Sequence, residues 1–462
     1  MTPDSETLAL SITEAGVLPL EDGSQLHAIW TLAWPVILAM LSESLISFVD
    51  MVMVSRLGPT AVAAVGVGGQ ILNAMSIVMA AVGTGTLAIV ARHVGAGEPH
   101  KASAVIAQSI LTALVLATVL IIPVAIFVLP LVSAFGLEPA VAESSASFTQ
   151  LVLLSVPTGA VLFVIGSALR GAGDTRTPLA IGIVVNLVNL FLNWALIFGH
   201  FGFPALGVRG SAIATASAFA LGAVIGLGLL LSKRLRLTLH LRQLRPHFST
   251  IRRVLRIGSP AALEQGLMQI GFFIYLAFAI RYGTDAVAAY FIGVRILALS
   301  FLPGFGFAAA AAALVGQNLG AGRPEHARRA GWLASWLAVG LMTAAGIGIV
   351  LGAEPIAHIF ADNPIVIANT VSFIVMLGIA QPFMALDSTL SGALRGAGDT
   401  RFPLLTVLIT FYGIRLGLSW IVVSIGSLGI AWLWATLIGD YIARAALKGW
   451  RFRQGAWASI RV

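Results

Sequence analysis

Long apolar stretches, broken by short polar turns rich in glycine and proline, run along nearly the whole chain. A helix rises 1.5 Å per residue, so crossing the roughly 30 Å of bilayer hydrocarbon takes about 20 residues. Dividing the pattern at Gly/Pro breaks and charge clusters predicts twelve such helices. They cover residues 27–55, 61–90, 103–131, 145–168, 178–199, 209–232, 257–280, 286–315, 330–352, 367–394, 403–425 and 428–447. Several are longer than a span requires, so tilt or kinks are expected, the first at Pro35. The predicted fold class is an all-α integral membrane protein.

Composition supports the pattern. Of 462 residues, 58% are hydrophobic and only 10% charged, against roughly 25% charged in soluble proteins, and the mean hydropathy is +0.96. Such a chain cannot build a water-facing surface, so most of its surface faces lipid. The net charge of +8 would fit nucleic-acid binding, but the distribution of the basic residues explains it otherwise. The even-numbered loops hold Arg92 and Lys101, Arg170 and Arg176, Lys233 through Arg256, Arg323, Arg328 and Arg329, and Arg395 and Arg401. The odd-numbered loops hold Arg56, Arg209 and Arg281, with Glu138, Glu143, Glu354 and Asp362. Because basic residues gather on the cytoplasmic side, both termini and all even loops are expected there, and no nucleic-acid partner is expected. Residues 1–25 carry Asp4, Glu6, Glu14, Glu21 and Asp22 without Lys or Arg. That is the wrong charge for a signal peptide, so the first helix is expected to be retained. The absence of cysteine excludes disulfides and thiolate metal sites.

The chain also repeats itself. Residues 166–179, GSALRGAGDTRTPL, return as SGALRGAGDTRFPL at 391–404. The same offset continues without a gap through Pro35 and Pro260, Arg56 and Arg281, Ala61–Ala64 and Ala286–Ala289, Gly95 and Gly320, Phe135 and Phe360, and Pro157 and Pro382. Two parallel six-helix units follow. The expected layout is a cytoplasmic tail over 1–25, a first lobe over 26–232, a basic linker over 233–255, a second lobe over 256–447 and a cytoplasmic tail over 448–462. Two similar bundles can enclose a central site and rock to expose it to either side, so transport is the expected function.

An ionisable side chain at a helix centre costs at least about 2.5–3.5 kcal/mol in the membrane, which makes each a candidate. In the first half these are Glu43 and Asp50, two turns apart on one face of the first helix. Asn186, Asn189 and Asn193 form a polar stripe on the fifth helix. No Lys or Arg lies in the spans of this half away from their ends, so the site reads as net acidic. Asp50 with the amide oxygens of Asn189 and Asn193 could hold Na⁺, or they could surround a protonated carboxyl. The second half offers Glu264, Gln265 and Tyr275, then Arg295, Asp387 and Arg415. The two acids and two arginines there could equally neutralise one another as buried pairs. Met268, Met384, Phe272 and Phe383 could line a greasy pocket, although such residues more often pack a core. The glycine-rich GAG and GAGD stretches follow no strand and lack a phosphate-loop lysine, so they read as helix-ending loops. No metal spacing among the eight histidines and no nucleophile arrangement appears, so neither a cofactor nor an enzyme is expected.

With these features the chain resembles the multidrug and toxic compound extrusion (MATE) transporters, from about Trp34 to Ala446. The motifs are Phe48–Gly58, the two ALRGAGDTRxPL signatures, Asn189–Trp194, the prolines Pro35 and Pro260, and Gly207–Thr215. The resemblance implies two lobes in a V shape and an inner-membrane antiporter expelling organic, usually cationic, compounds in exchange for H⁺ or Na⁺. It maps the family's first-helix acid onto Asp50 and its fifth-helix pair onto Asn189 and Asn193; Glu43 and Thr215 are ion-coupling candidates outside that mapping. Asn193 stands where some members carry Asp, which leaves the coupling ion open. The family's seventh-helix acid falls at Met268 rather than Glu264, and Asp387 is shifted too. As cargo contacts, Glu264, Gln265, Tyr275, Arg295 and Asp387 therefore rest on burial alone. The expectation is a monomeric exporter of small organic compounds in the lipid bilayer. The alternative is a flippase for a lipid-linked saccharide or another amphiphilic metabolite; a channel or scaffold is a more distant reading.

Overall fold

The computed structural model describes residues 22–134, 136, 138–460 and 462, which are helical throughout apart from the turns and loops and include no strand. Eleven helices among them are long and apolar enough to cross a membrane, and a bent pair makes a twelfth. The first half comprises α1 (Asp22–Ser55), α2 (Pro59–Gly95), α3 (Pro99–Ile126), α4 in two segments (Pro139–Val152 and Ser155–Gly171), α5 (Arg176–Phe198) and α6 (Val208–Leu231). The second comprises α7 (Phe248–Ile280), α8 in two segments (Thr284–Ser300 and Leu302–Gly320), α9 (Pro324–Leu351), α10 (Pro364–Gly396), α11 over Arg401–Ile425 and α12 (Ile430–Gln454). The two segments of α4 meet at 48°. Of the tail expected over residues 1–25, residues 1–21 lie outside the described residues, as does Phe135 of the repeat, and residues 22–25 begin α1.

Local chemistry explains the boundaries. Proline opens α2, α3, α9 and α10, where its missing N–H is an orphan in any case. Asn363 caps α10 by accepting from the Ile365 amide at 2.9 Å. Within α11, residues Leu408–Leu416 widen into π-helical turns. The GAG and GAGD stretches are helix-ending turns, as expected. Gly173 and Gly398 take positive φ values of 86° and 88°, a conformation in which a Cβ would be strained.

The expected linker is shorter than its basic composition suggested. Helix α7 begins at Phe248, because residues 248–255 continue the helical pattern of the following span. The segment before it is pinned to α3. The Gln108 amide donates to the Gln243 and Arg245 carbonyls at 2.5 and 2.8 Å and accepts from the His247 amide at 2.8 Å. In the α2–α3 turn, Glu98 takes Lys101 and His93 at 2.7 and 2.9 Å. Those hydrogen bonds, Lys101 first, hold its carboxyl below the usual range.

Two compact units result. One combines Leu38–Val94 with Glu98–Ala262; the other combines the described residues up to Ile37 and Gly95–Gly97 with Leu263–Val462. The unit boundary thus falls inside α1 and inside α7, after Ile37 and after Ala262. These two positions are equivalent in the repeat and lie just past Pro35 and Pro260. In the first unit α6 packs on α5 and α4; in the second α10 is the hub, packing on α8, α9 and α12.

Small residues set these contacts, as expected where apolar burial alone does not draw helices together. A Cβ on Gly392 would overlap the backbone of Ala308, and one on Gly396 that of Ala312; in the first unit a Cβ on Gly171 would overlap the backbone of Leu87. Gly171 and Gly396 are repeat mates, and so are Leu87 and Ala312, so one helix contact is built twice. We predict that Gly396→Val destabilises the protein by about 3 kcal/mol, the upper end for overpacking. A thermal-shift assay in detergent should show a clear fall in Tm, while Gly340→Ala, which meets open space, should leave it nearly unchanged.

Candidate functional site

The first unit gathers a polar chain from three helices. Asn189 and Asn193, one helical turn apart on α5, are 7% and 0% exposed. The Asn193 amide nitrogen donates to the Asp50 carboxylate on α1 at 2.7 Å and to the Asn189 side-chain carbonyl at 3.1 Å. Asn189 donates in turn to the Thr215 hydroxyl on α6 at 3.3 Å. An ionised carboxylate only accepts hydrogen bonds, so Asp50 fixes which end of the Asn193 amide faces it. The other end, the Asn193 Oδ1, is buried and has no partner. Oxygen atoms with spare lone pairs beside a carboxylate can accept a proton-bearing group or coordinate a hard cation.

The remaining candidates of this half stand apart. Asn186 is half-buried and outside the chain of hydrogen bonds; Glu43 is exposed on α1. At Glu43 a basic residue enters from a span end. Arg170, in the last turn of α4, acts on it electrostatically.

In the second unit, both acids are already paired. Glu264, 3% exposed, accepts from Arg395 at 2.8 Å. Asp387 accepts from Lys448 at 2.5 Å, and Lys448 also donates to the Ser391 hydroxyl at 2.6 Å. Asp440 takes both nitrogens of an Arg444 fork at 2.8 and 3.0 Å. Arg444 and Arg415 lie 3.9 Å from Asp387 and Asp440 respectively. The pairing predicted among Glu264, Asp387, Arg295 and Arg415 is therefore different in detail. Neither acid pairs with Arg295 or Arg415, and Arg295 and Gln265 are exposed and join none of these pairs. Tyr275 is fully buried, donates to the Leu433 carbonyl at 2.7 Å, and has the Arg415 guanidinium 4.3 Å above its ring. Met268 and Phe272 are partly buried core residues and Met384 is fully buried. The charges of the two signatures find different partners. Asp174 accepts from the nearby Thr177 amide, but Arg395 and Asp399 reach to Glu264 on α7 and Arg451 on α12.

Asp440, Arg444 and Lys448 join the paired charges without being among the expected site residues. Their i, i+4, i+8 spacing puts them on one face of α12, a stripe readable without a structure.

The MatE family model matches the chain twice, over residues 35–195 and 260–421. The chain belongs to the MatE family. Both matches begin at the repeat prolines, so each half is one MatE unit and the protein is a MATE transporter. The probable multidrug resistance protein NorM of Thermotoga maritima is 32% identical over 434 residues, 92% of each chain. The multidrug resistance protein PmpM of Pseudomonas aeruginosa is 32% identical over 415 residues, 86% of this chain and 85% of its own. Among solved structures, a mutant of the Vibrio cholerae MATE transporter VcmN matches with a TM-score of 0.87 at 23% identity, covering 95% of this chain and 98% of that one. A MOP superfamily transporter from Pyrococcus furiosus matches at 0.85 and 23%, over 95% and 97%. These two likenesses establish the MATE-type fold.

Removing one partner from a buried ion pair costs about 3–5 kcal/mol, whereas replacing both by apolar residues is close to neutral. Lys448→Met should accordingly lower Tm sharply, and Asp387→Leu combined with Lys448→Met should recover most of the loss. Equal melting of single and double variants would show that the pair is not a closed unit.

Proposed function

We propose that this MatE protein is a secondary antiporter of the cell inner membrane, exporting organic, cationic and amphiphilic compounds in exchange for H⁺ or Na⁺. Asp50, with Asn193, Asn189 and Thr215, is where the coupling ion acts. One observation carries the reading: a fully buried amide oxygen, Asn193 Oδ1, without a partner beside the Asp50 carboxylate. A proton on Asp50 would turn an acceptor into a donor, and with the Asn193 amide turned over its Oδ1 would accept that hydrogen bond. A Na⁺ would take both residues as hard oxygen ligands. Either occupant changes what α1 offers to α5, and the chain through Asn189 passes the change to α6. The names of the relatives, multidrug resistance proteins over most of their length, support export of varied compounds.

The two six-helix lobes would rock to alternate access, with both termini and the basic loops on the cytoplasmic side and the protein acting as a monomer. Coupling requires each state to bind ion and cargo with different affinity. Glu43, close enough in charge to feel Arg170, is a secondary participant. For cargo, exposed Gln265 and Arg295 can make contact directly, whereas Glu264, Asp387 and Tyr275 would first have to release the partners they hold. No reaction is assigned to any of these groups.

Purified protein in liposomes, with an imposed pH or Na⁺ gradient and a fluorescent organic cation, tests the proposal. Asp50→Asn should reduce gradient-driven uptake to background. Asn193→Ala should lower it roughly tenfold, the effect of losing about 1.4 kcal/mol of a charge-assisted hydrogen bond. Undiminished coupled transport by Asp50→Asn would sink the mechanism, and running the assay with each gradient separately identifies the ion.

A further inference from the structure

Between Ser232 and Ser259 the chain carries Lys233, Arg234, Arg236, Arg242, Arg245, Arg252, Arg253 and Arg256 and no Asp or Glu. These eight charges equal the formal net charge of the whole protein, +8. The last three lie on α7, which has 33 residues and so rises about 50 Å. That exceeds the roughly 30 Å of hydrocarbon. With the apolar run from Ile257 onward crossing the membrane, residues 248–256 reach headgroup depth.

The faces of this extension differ. Val254, Ile257 and Gly258 are buried, and α7 lies so close to α2 that a Cβ on Gly85 would strike the Val254 backbone and one on Gly258 the Ala81 backbone. The opposite stripe, Phe248, Ile251, Arg252, Leu255, Arg256 and Ser259, recurs at helical spacing and lines an open groove of ≈ 490 Å³. Phe248 is 79% exposed, and Arg252 and Arg256 are exposed neighbours one turn apart. Neither arginine takes part in an ion pair among the described residues. The groove is thus apolar along its floor and doubly cationic at its edge, at the depth where lipid phosphates lie.

We propose that the first three turns of α7 bind an anionic phospholipid. Its phosphate sits between Arg252 and Arg256, and an acyl chain lies along Phe248, Ile251 and Leu255. A guanidinium fork matches phosphate oxygens in geometry as well as charge, and clustered basic residues beside a span are suited to anionic headgroups. The lipid fixes the depth of α7 in the leaflet, on the face opposite its close contact with α2.

Native mass spectrometry of the purified full chain, with phosphatidylglycerol or phosphatidylcholine added, tests the site. The wild type should retain phosphatidylglycerol several-fold better than phosphatidylcholine. Arg252→Gln with Arg256→Gln should abolish that preference, while Arg234→Gln with Arg236→Gln, removing the same charge outside the groove, should preserve it. Equal retention of the two lipids by the wild type, or equal loss in both double variants, would overturn the proposal. A measurement on the wild type alone guards against misfolded variants. Phosphatidylglycerol should raise Tm and inorganic phosphate should not, and equal stabilisation by the two would rule out a lipid site.

Discussion

A charge inside a hydrocarbon layer needs a partner, and the two halves of this MATE protein meet that constraint in opposite ways. The second unit closes its charges on one another: Glu264 with Arg395, Asp387 with Lys448, Asp440 with Arg444. The odd cation, Arg415, lies over the rings of Tyr275, Phe411 and Phe272 at 4.3–5.3 Å. The first unit leaves Asp50 hydrogen-bonded to a neutral amide, which itself has an unused buried oxygen. An ion arriving among these paired charges must displace a tethered one. A network with an unused oxygen can change its protonation or occupancy without displacing a tethered ion. This difference makes the first unit the place to look for coupling.

Duplication explains why such different chemistry can sit on nearly the same frame. The contacts between Gly171 and Leu87 and between Gly396 and Ala312 recur at the same offset because they involve backbone and tolerate only small residues. The exchange of α1 and α7 between units also recurs, just beyond Pro35 and Pro260. Charges carry no such packing constraint. Ala39 and Glu264 are repeat mates, as are Glu43 and Met268, so the acid has moved by one turn. Each signature arginine still finds it: Arg395 as a hydrogen-bonded pair, Arg170 through the field it exerts on Glu43.

The helices, the repeat and the turn glycines were legible in the chain because each depends on local pattern: span length, identity at a fixed offset, and glycine after a helix. The widened turns of α11 were not, since they leave no local signal stronger than the apolar run containing them, whereas the bend within α4 falls at Leu153, four residues before Pro157. The chain from Asp50 to Thr215 could be assembled from helical spacing together with family resemblance. Partner choice in the second unit could not. Glu264 and Arg395 are far apart in sequence, and only the placement of α10 beside α7 decides that Arg395, rather than Arg295 or Arg415, answers that acid. The stripe of Asp440, Arg444 and Lys448 was readable but was absorbed into a span and a tail, so the balance of charge in that lobe looked incomplete.

The repeat offset sharpens what Asp50 does. Its mate in the second half is Tyr275, in a stretch of α1 and α7 that aligns without a gap. At Tyr275 the second unit presents a neutral ring with the Arg415 guanidinium laid upon it and Asp440 3.9 Å from that guanidinium. A permanent cation, covalently part of the chain, therefore occupies the place corresponding to the Asp50 site. An Arg cannot be deprotonated in a protein and cannot diffuse away, so that cation is permanent. At Asp50 the tethered cation is missing and the carboxylate remains. Under the proposed coupling at Asp50, what the second unit holds permanently the first would take from solution, and an occupant that comes and goes is the requirement for coupling to a gradient.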